Sequence, residues 1–263
     1  MRFKINFISS HSFSIPRDYR RYFVSFLKTV FTRSGFYENL YENKKFKPFT
    51  FSVWLGDKFE IENGKIQTGE ILSFLFSSND PIVFTNFYNG VIDLKQKRKN
   101  IAIGEGKVEV TEISLLPPRR INSNKVLFKT IGICVMSDPE VSADDFHKWY
   151  ILPTDNLERF NQVLNQRINM RYEFLTGRKG DFFLKLTPLS DEEFKILKLS
   201  PIISKNFKTP IKETIVEHYE GFVRGFRGVF WLEGEAEILQ FIYDCGLGVR
   251  TGQGFGLLEI LSQ

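Results

Sequence analysis

The sequence of 263 residues has few side chains that form disulfides or hold metals, with two cysteines and three histidines. Cys134 and Cys245 lie far apart and no C-x-x-C spacing occurs, which excludes a disulfide framework and a cysteine-based zinc site. We expect two buried thiols in a reducing compartment. The histidines are scattered, so a histidine-rich metal site is not expected, and no cofactor is predicted.

Long apolar runs are also missing. No segment reaches 18 consecutive apolar residues, and the first residues lack the apolar core of a signal peptide. We therefore expect a cytoplasmic protein with no membrane partner. The formal net charge of +5 is a modest excess that favours a polyanionic partner. The 28 phenylalanines are enough to fill a core and still leave aromatic rings for stacking on nucleobases.

Glycine is concentrated near the end of the chain, where residues 246–256 (GLGVRTGQGFG) contain five glycines and one arginine. Such turns need positive φ or close backbone approach, and they can direct several N–H groups at one anion. This loop follows a helical pattern and precedes a strand pattern. Phosphate-binding loops of nucleotide enzymes have the opposite order, which argues against a nucleotide cofactor. An anion-binding loop and a tight turn that binds nothing both stay open.

The hydrophobic periodicity predicts an α+β protein. Up to residue 115 the predicted order is βαββαβ, the order of a ferredoxin-like domain with an antiparallel sheet. The second half has the same outline with an added hairpin, and an acidic stretch after Asp138 is the predicted joint. We therefore predict an N-terminal domain of residues 1–137 and a C-terminal domain of residues 138–263.

Local signals place the ends of several elements. Ser14 before Ile15 and Pro16 predicts the start of the first helix, Asp80 before Pro81 predicts the second, and Asp155 predicts a third. Asn63-Gly64 predicts a turn. Arginines share the first helix with Lys28, and a solvated face is expected for them: Arg17, Arg20 and Arg21.

Two motifs resemble those of a known family. The pattern Gly-apolar-Gly, five residues, Gly-aromatic-Gly before a last strand resembles the C-terminal signature of the CRISPR-associated RAMP superfamily, and more narrowly the Cas6 RNases. The Lys47–Ser52 strand (KPFTFS) also resembles a strand of that family. The resemblance covers nearly the whole chain. It implies tandem ferredoxin-like (RRM-like) domains and CRISPR repeat RNA as the partner, and it leaves open whether other Cas subunits or a second copy join.

The resemblance also implies a metal-independent cleavage of precursor CRISPR transcripts, in which the RNA's own 2′-hydroxyl attacks the adjacent phosphate and leaves a cyclic phosphate. Many members supply a tyrosine from the first helix, a histidine shortly after it, and the lysine that begins the KPFTFS-like strand. Lys47 occupies the lysine position, Tyr41 the histidine position, and Lys28 lies near the tyrosine position. We expect these three to surround the scissile phosphate, with Lys47 stabilising its charge. The alternative is a packed Tyr41 in a chain that binds repeat RNA without cutting it.

For RNA binding, Arg250 inside the glycine loop is the first candidate, because arginine fits phosphate oxygens and base edges. Arg224 and Arg227 alternate with phenylalanines on a predicted hairpin, while a structural role is expected for His147 and His218. A third interpretation is a backbone subunit that polymerises along guide RNA. Such subunits commonly carry a long inserted thumb, and the sequence shows none, which argues against this interpretation. The predicted RNA-binding residues are Gly246, Gly248, Arg250, Gly252, Gly254, Gly256, Arg224 and Arg227.

Overall fold

The structure is a computed structural model that describes residues 1–42, 46–56, 60–199 and 207–263. The chain forms two compact units. Unit 1 consists of Met1–Pro118, Val216–Phe222 and Thr251–Gly254, and unit 2 of Arg119–Ile215, Val223–Arg250 and Phe255–Gln263. The predicted domain boundary after residue 137 stays a prediction.

The first 118 residues supply the helices and the main sheet of unit 1. Its five-stranded sheet has the order β3-β6-β1-β8-β7 and is antiparallel throughout. Without the short edge strand β7, this is the strand order of a ferredoxin-like fold, as predicted. A second small sheet has the order β2-β5-β4. The elements are β1 (Arg2–Ile8), β2 (Ser14–Pro16), α1 (Arg20–Arg33), α2 (Tyr37–Tyr41), β3 (Phe49–Trp54), β4 (Glu60–Glu62), β5 (Lys65–Gln67), β6 (Ile71–Ser78), α3 (Pro81–Gln96), β7 (Ile101–Ile103) and β8 (Gly106–Leu115).

Phenylalanine fills the core of unit 1, as the composition predicts. Phe74 lies at its centre and stacks on Phe51 with ring centroids 5.0 Å apart. Phe76 and Phe87 stack at 3.8 Å. Aromatic pairs of this kind stabilise a fold by about 0.5–1.5 kcal/mol each beyond the area they bury. The core therefore holds the strand that follows Lys47 in a rigid position.

Unit 2 repeats the βαββαβ order. Its sheet has the order β10-β12-β9-β13, and β11 pairs with β12 as the added hairpin. The predicted α+β fold with antiparallel sheets is thus confirmed. The elements of the second half of the chain are β9 (Lys125–Thr130), α4 (Phe146–Trp149), α5 (Leu157–Thr176), β10 (Lys185–Pro188), α6 (Asp191–Lys198), β11 (Ile211–His218), β12 (Gly221–Glu233), α7 (Ala236–Cys245), a 3-10 turn (Thr251–Gln253) and β13 (Leu258–Ser262).

The start of α1 differs from the prediction. The helix begins at Arg20, and Ser14 lies in β2 instead of capping it. Ser14 pairs with Gln67 of β5, and its Oγ donates a hydrogen bond of 2.8 Å to Gln67 Oε1. The predicted helix start at Ser14 is therefore wrong, because the hydroxyl that could cap a helix is used by a strand pairing.

Candidate functional site

The three side chains predicted to act on the phosphate come together in unit 1. Lys47 Nζ lies 5.0 Å from the centroid of the Tyr41 ring, and Lys28 Nζ lies 5.8 Å from the same centroid. Lys28 belongs to α1, Tyr41 ends α2, and Lys47 precedes β3. Two lysines at this distance from one ring make cation–π contacts. We call these three residues the tyrosine–lysine cluster; their part in cleavage stays a prediction.

The Tyr41 hydroxyl is buried and has no hydrogen-bond partner among the described residues. Its ring stacks on Tyr37 with centroids 5.1 Å apart. Burial raises the pKa of Tyr41 above its ordinary value, with smaller contributions from Tyr37 and Tyr219, because a phenolate is poorly solvated there. The phenol therefore stays neutral at physiological pH. It can donate a hydrogen bond or a proton, and it is a poor base.

Lys47 is held in position by two neighbours. Its Nζ donates a hydrogen bond of 2.7 Å to the carbonyl oxygen of Leu40, the residue before Tyr41. On the other side, a Cβ added at Gly252 would lie 2.6 Å from Lys47 Cγ, closer than carbon atoms can approach. Glycine at 252 thus allows the loop backbone to lie directly on the lysine stem. Gly254 has the same relation to Phe51, with a Cβ-to-ring distance of 2.7 Å and φ of 88°.

The glycine loop and the KPFTFS strand, which the sequence singled out separately, are therefore in contact. The two loop glycines that belong to unit 1, Gly252 and Gly254, lie against Lys47 and Phe51. The glycines of the loop at 246, 248 and 256 belong to unit 2 and have φ of 89°, 84° and 82°. The prediction that the loop requires positive φ is confirmed at these three positions and at Gly254.

Several N–H groups of the loop donate to carbonyls of the chain. Gly246 N–H donates to Ile242 at 2.8 Å, and Gly256 N–H donates to Ile133 at 2.8 Å. Gly254 N–H donates within the 3-10 turn, to Thr251 at 3.1 Å. These three donors are not directed at a ligand in this conformation. The glycines thus serve close packing, and RNA contact by the loop stays a prediction.

A buried arginine that the sequence analysis missed supports the loop in unit 2. Arg171 donates to the carbonyl oxygens of Gly246 at 2.6 Å and Gly248 at 3.0 Å, and it is 3% exposed. Burial lowers the pKa of Arg171 to about 10, so it remains a cation at neutral pH. It lies at the C-terminal end of α7, where the helix dipole favours positive charge. Its position beside Tyr172 on the apolar stripe of α5 was the one available signal.

Arg224 lies on the predicted hairpin but is directed into unit 2, with 6% exposure. Its guanidinium binds both oxygens of Asp155 at 2.7 and 2.8 Å and Glu213 at 2.7 Å. These carboxylates, Asp155 first, raise the pKa of Arg224. An RNA contact by Arg224 would require these bonds to break and stays a prediction. RNA contact by Arg227, which is exposed, and by Arg250, which is half-buried with φ of 59°, also stays a prediction.

A second polar cluster of unit 1 links three segments. His218 Nδ1 lies 3.3 Å from Asp18 Oδ1, and His218 Nε2 lies 3.0 Å from Gln253 Oε1. The His218 side chain is fully buried, which fits the structural role expected for it. Arg20 is 4% exposed and donates to Gly254 O at 3.4 Å, so the solvated position expected for it is wrong. Asp18 was missed, because its partners are distant in sequence.

In residues 1–42, 46–56, 60–199 and 207–263, no three or more His, Cys, Asp or Glu side chains are grouped as a metal site would require. Among the helices of the same ranges, none has the length and apolar character needed to cross a membrane.

Comparison with known proteins shows which proteins this chain resembles. The sequence model of the family described as CRISPR associated protein Cas6, C-terminal, matches residues 116–260. The chain is 25% identical over 263 residues to the CRISPR-associated endoribonuclease Cas6 1 of Methanocaldococcus jannaschii, covering 98% of this chain and 92% of the relative.

Two solved structures have similar folds. One is that of a Cas6-related gene product of Pyrococcus furiosus, with a TM-score of 0.78, 22% identity and coverage of 99% of this chain and 98% of the other. The second is a RAMP protein binding different RNA substrates, with a TM-score of 0.75, 21% identity and complete (100%) coverage of both chains. Both likenesses support the ferredoxin-like fold predicted from the sequence.

Proposed function

This chain belongs to the Cas6 family of CRISPR-associated proteins, and from that membership we propose that it binds CRISPR repeat RNA and cuts precursor CRISPR transcripts as an endoribonuclease. The observation that carries the proposal is the tyrosine–lysine cluster, in which two lysines lie 5.0 and 5.8 Å from the centroid of the Tyr41 ring, and the buried Tyr41 hydroxyl has no hydrogen-bond partner among the described residues. The relative from M. jannaschii is itself named an endoribonuclease, which supports the same activity.

The proposed reaction uses no metal. The 2′-hydroxyl of one nucleotide loses its proton, and its oxygen forms a bond to the adjacent phosphorus. The bond from phosphorus to the 5′-oxygen breaks, and that oxygen takes up a proton. The products are a cyclic phosphate and a 5′-hydroxyl. Negative charge increases on the phosphoryl oxygens during attack, so cations positioned beforehand lower the barrier.

We assign the charge stabilisation to Lys47 and Lys28. Lys47 is the better placed of the two, because Leu40 and Gly252 fix its stem and ammonium group. Tyr41 supplies a neutral hydroxyl; since this hydroxyl is buried, it donates to a phosphoryl oxygen or to the leaving 5′-oxygen only once RNA binding exposes it. Its raised pKa makes it unsuitable as the base. Since general acid–base catalysis contributes about 10²–10⁴-fold, we expect slower cleavage than in members with a histidine at this position.

A second candidate function is repeat-RNA binding without cleavage, as a subunit of an interference complex. The observation that favours it is Tyr41 itself, which stands where the family usually has histidine and whose phenol resists ionisation. Both candidates require the same RNA, and they differ in whether product forms.

The experiment incubates the protein with labelled repeat RNA in a chelator and maps both ends of any product. We expect a cyclic phosphate end, and no product from RNA that has 2′-deoxyribose at the cut. Lys47→Ala should slow cleavage strongly, whereas Lys107→Ala, an exposed lysine of β8, should not. Unchanged cleavage by Lys47→Ala would remove Lys47 from the mechanism. Binding without any product would favour the second candidate.

A further inference from the structure

The hairpin of β11 and β12 turns at Tyr219 and Glu220, and both have left-handed backbones, with φ of 48° and 61°. Two-residue turns of this kind favour Asn-Gly, because these residues adopt positive φ at low cost. Unit 1 has such a turn between β4 and β5, at Asn63–Gly64, with φ of 49° and 77°. Other residues adopt this conformation only at a cost in free energy. The turn at Tyr219 and Glu220 is therefore more strained than an Asn-Gly turn of the same kind would be.

Buried polar side chains hold the strained tip in place. The Tyr219 N–H donates a hydrogen bond of 2.9 Å to Asp18 Oδ2. The other oxygen of Asp18 faces His218, whose ring also contacts Gln253. The side chains of His218 and Asp18 are 0% and 10% exposed, so this support is not a surface contact. The fold thus fixes the tip from three segments of unit 1.

The tip presents aromatic surface to solvent. Tyr219 is 49% exposed and Phe222 is 61% exposed. Arginines are nearby: Arg17 lies 3.7 Å from Glu217, and Arg21 contributes to the electrostatic surroundings of Tyr219. Exposed aromatic rings beside arginines are the combination with which proteins bind unpaired nucleobases and their phosphates.

The tip is also adjacent to the tyrosine–lysine cluster. Gln253, which contacts His218, is the residue after Gly252, and Gly252 lies on the stem of Lys47. The Tyr219 phenol is close enough to contribute to the raised pKa of Tyr41. A strand of RNA with its phosphate at Lys47 therefore has an exposed aromatic ring within reach of a neighbouring nucleotide.

We propose that Tyr219 is a stacking platform for one unpaired nucleobase next to the cut. The inference rests on the proposed function and adds the residue that positions the strand beside the tyrosine–lysine cluster. A tip selected for folding alone would contain Asn-Gly, as the turn at Asn63–Gly64 does. The strained pair instead directs an aromatic ring toward solvent.

The decisive variant replaces the tip with the less strained pair, Tyr219→Asn together with Glu220→Gly. We expect a higher melting temperature and a 5- to 150-fold weaker affinity for single-stranded repeat RNA, the equivalent of about 1–3 kcal/mol for one lost stacking contact. Tyr219→Phe should keep most of the affinity, because stacking needs the ring and not the hydroxyl. Tyr88→Ala, which removes a 41% exposed tyrosine from α3, is the matched control and should bind normally.

An abasic scan of the RNA identifies the stacked base. In the wild-type protein, removal of one base beside the cut should weaken binding, and the tip variant should not respond to that same removal. An unchanged affinity of the tip variant, or the same abasic profile in both proteins, would overturn the inference and leave the proposed function intact. Failure of the wild-type protein to bind repeat RNA would overturn both.

Discussion

Gly252→Ala tests whether the glycine loop sets the position of Lys47. The added Cβ would lie 2.6 Å from Lys47 Cγ, whereas carbon atoms in contact are about 3.5–4.0 Å apart. The lysine stem must therefore move by roughly 1 Å. A displacement of this size in a catalytic group can cost about 10²-fold in rate, so we expect cleavage to fall by that order.

Stability should change much less than activity. Overpacking costs about 1–3 kcal/mol, and the gain of about 0.4–1 kcal/mol from replacing glycine with alanine partly offsets it, since φ of Gly252 is not in the left-handed region. We expect a loss of between about 0 and 2.6 kcal/mol in the free energy of unfolding. Gly69→Ala is the matched control, because its added Cβ would meet no atom within 4 Å.

The assay is single-turnover cleavage of labelled repeat RNA, with urea unfolding of each variant in parallel. Combining Gly252→Ala with Lys47→Ala removes the clashing Cγ and leaves Lys47 Cβ at 3.0 Å. If the glycine acts through Lys47, the double variant cleaves no more slowly than Lys47→Ala alone. A wild-type rate for Gly252→Ala, or an additive loss in the double variant, would refute this reasoning.

Other variants test the remaining contacts. Gly248→Ala combines φ of 84° with a Cβ 2.1 Å from a backbone oxygen, and we expect urea unfolding to show a loss of about 3 kcal/mol or more in the free energy of unfolding. Gly177→Ala, with φ of 70° and no atom within 4 Å of the added Cβ, should lose about 1–2 kcal/mol. Equal losses in the two variants would contradict the packing argument. Burial raises the pKa of Tyr41, so the unfolded chain releases that proton first and stability falls as pH rises above about 10. Tyr41→Phe should lose less unfolding free energy than wild type between about pH 9 and 11, and an equal loss would show that Tyr41 titrates normally. Arg224→Met should lose about 3–5 kcal/mol of unfolding free energy, because it leaves the carboxylates of Asp155 and Glu213 without their partner. Arg227→Met, at an exposed position, should change stability by about 0.5 kcal/mol at most. If Arg227 contacts a phosphate, this variant should also lower the salt slope of RNA binding by about 1.

Local sequence signals predicted the fold where neighbouring residues decide the conformation. The turn at Asn63–Gly64 has positive φ at both residues, and Asp80 caps α3 by accepting from Ile82 and Val83 N–H groups. Ser14 has equal capping chemistry, yet it pairs with a strand far along the chain. Ser14 suits both a helix cap and a strand, and its pairing with a distant strand decides between the two. The local sequence pattern does not contain that partner.

The N-cap of α5 lies one residue later than predicted, and here too contacts distant in sequence decide the outcome. Asn156, not Asp155, caps α5, because its side chain accepts the Arg159 N–H. The Asp155 carboxylate instead accepts the Leu152 N–H and binds Arg224. The predicted cap at Asp155 is therefore wrong, although the helix itself is present as expected.

The candidate site was only partly predictable. The resemblance of the KPFTFS strand singled out Lys47, and from it the positions of Tyr41 and Lys28. It could not predict that Arg171 and Arg224 are buried, because arginine is ordinarily exposed and only tertiary contacts with carbonyls or carboxylates make its burial favourable. Both act as internal supports in the structure.

The composition of unit 1 from three separate stretches of sequence limits how the protein can be divided. A clone that stops at Pro118 would encode the whole five-stranded sheet, yet it would omit Val216–Phe222 and Thr251–Gly254. Phe51 and the Lys47 stem would then lose the cover that Gly252 and Gly254 provide, and Asp18 would lose His218. Truncation after Pro118 should yield an aggregation-prone, poorly soluble fragment, so activity studies need the full-length polypeptide.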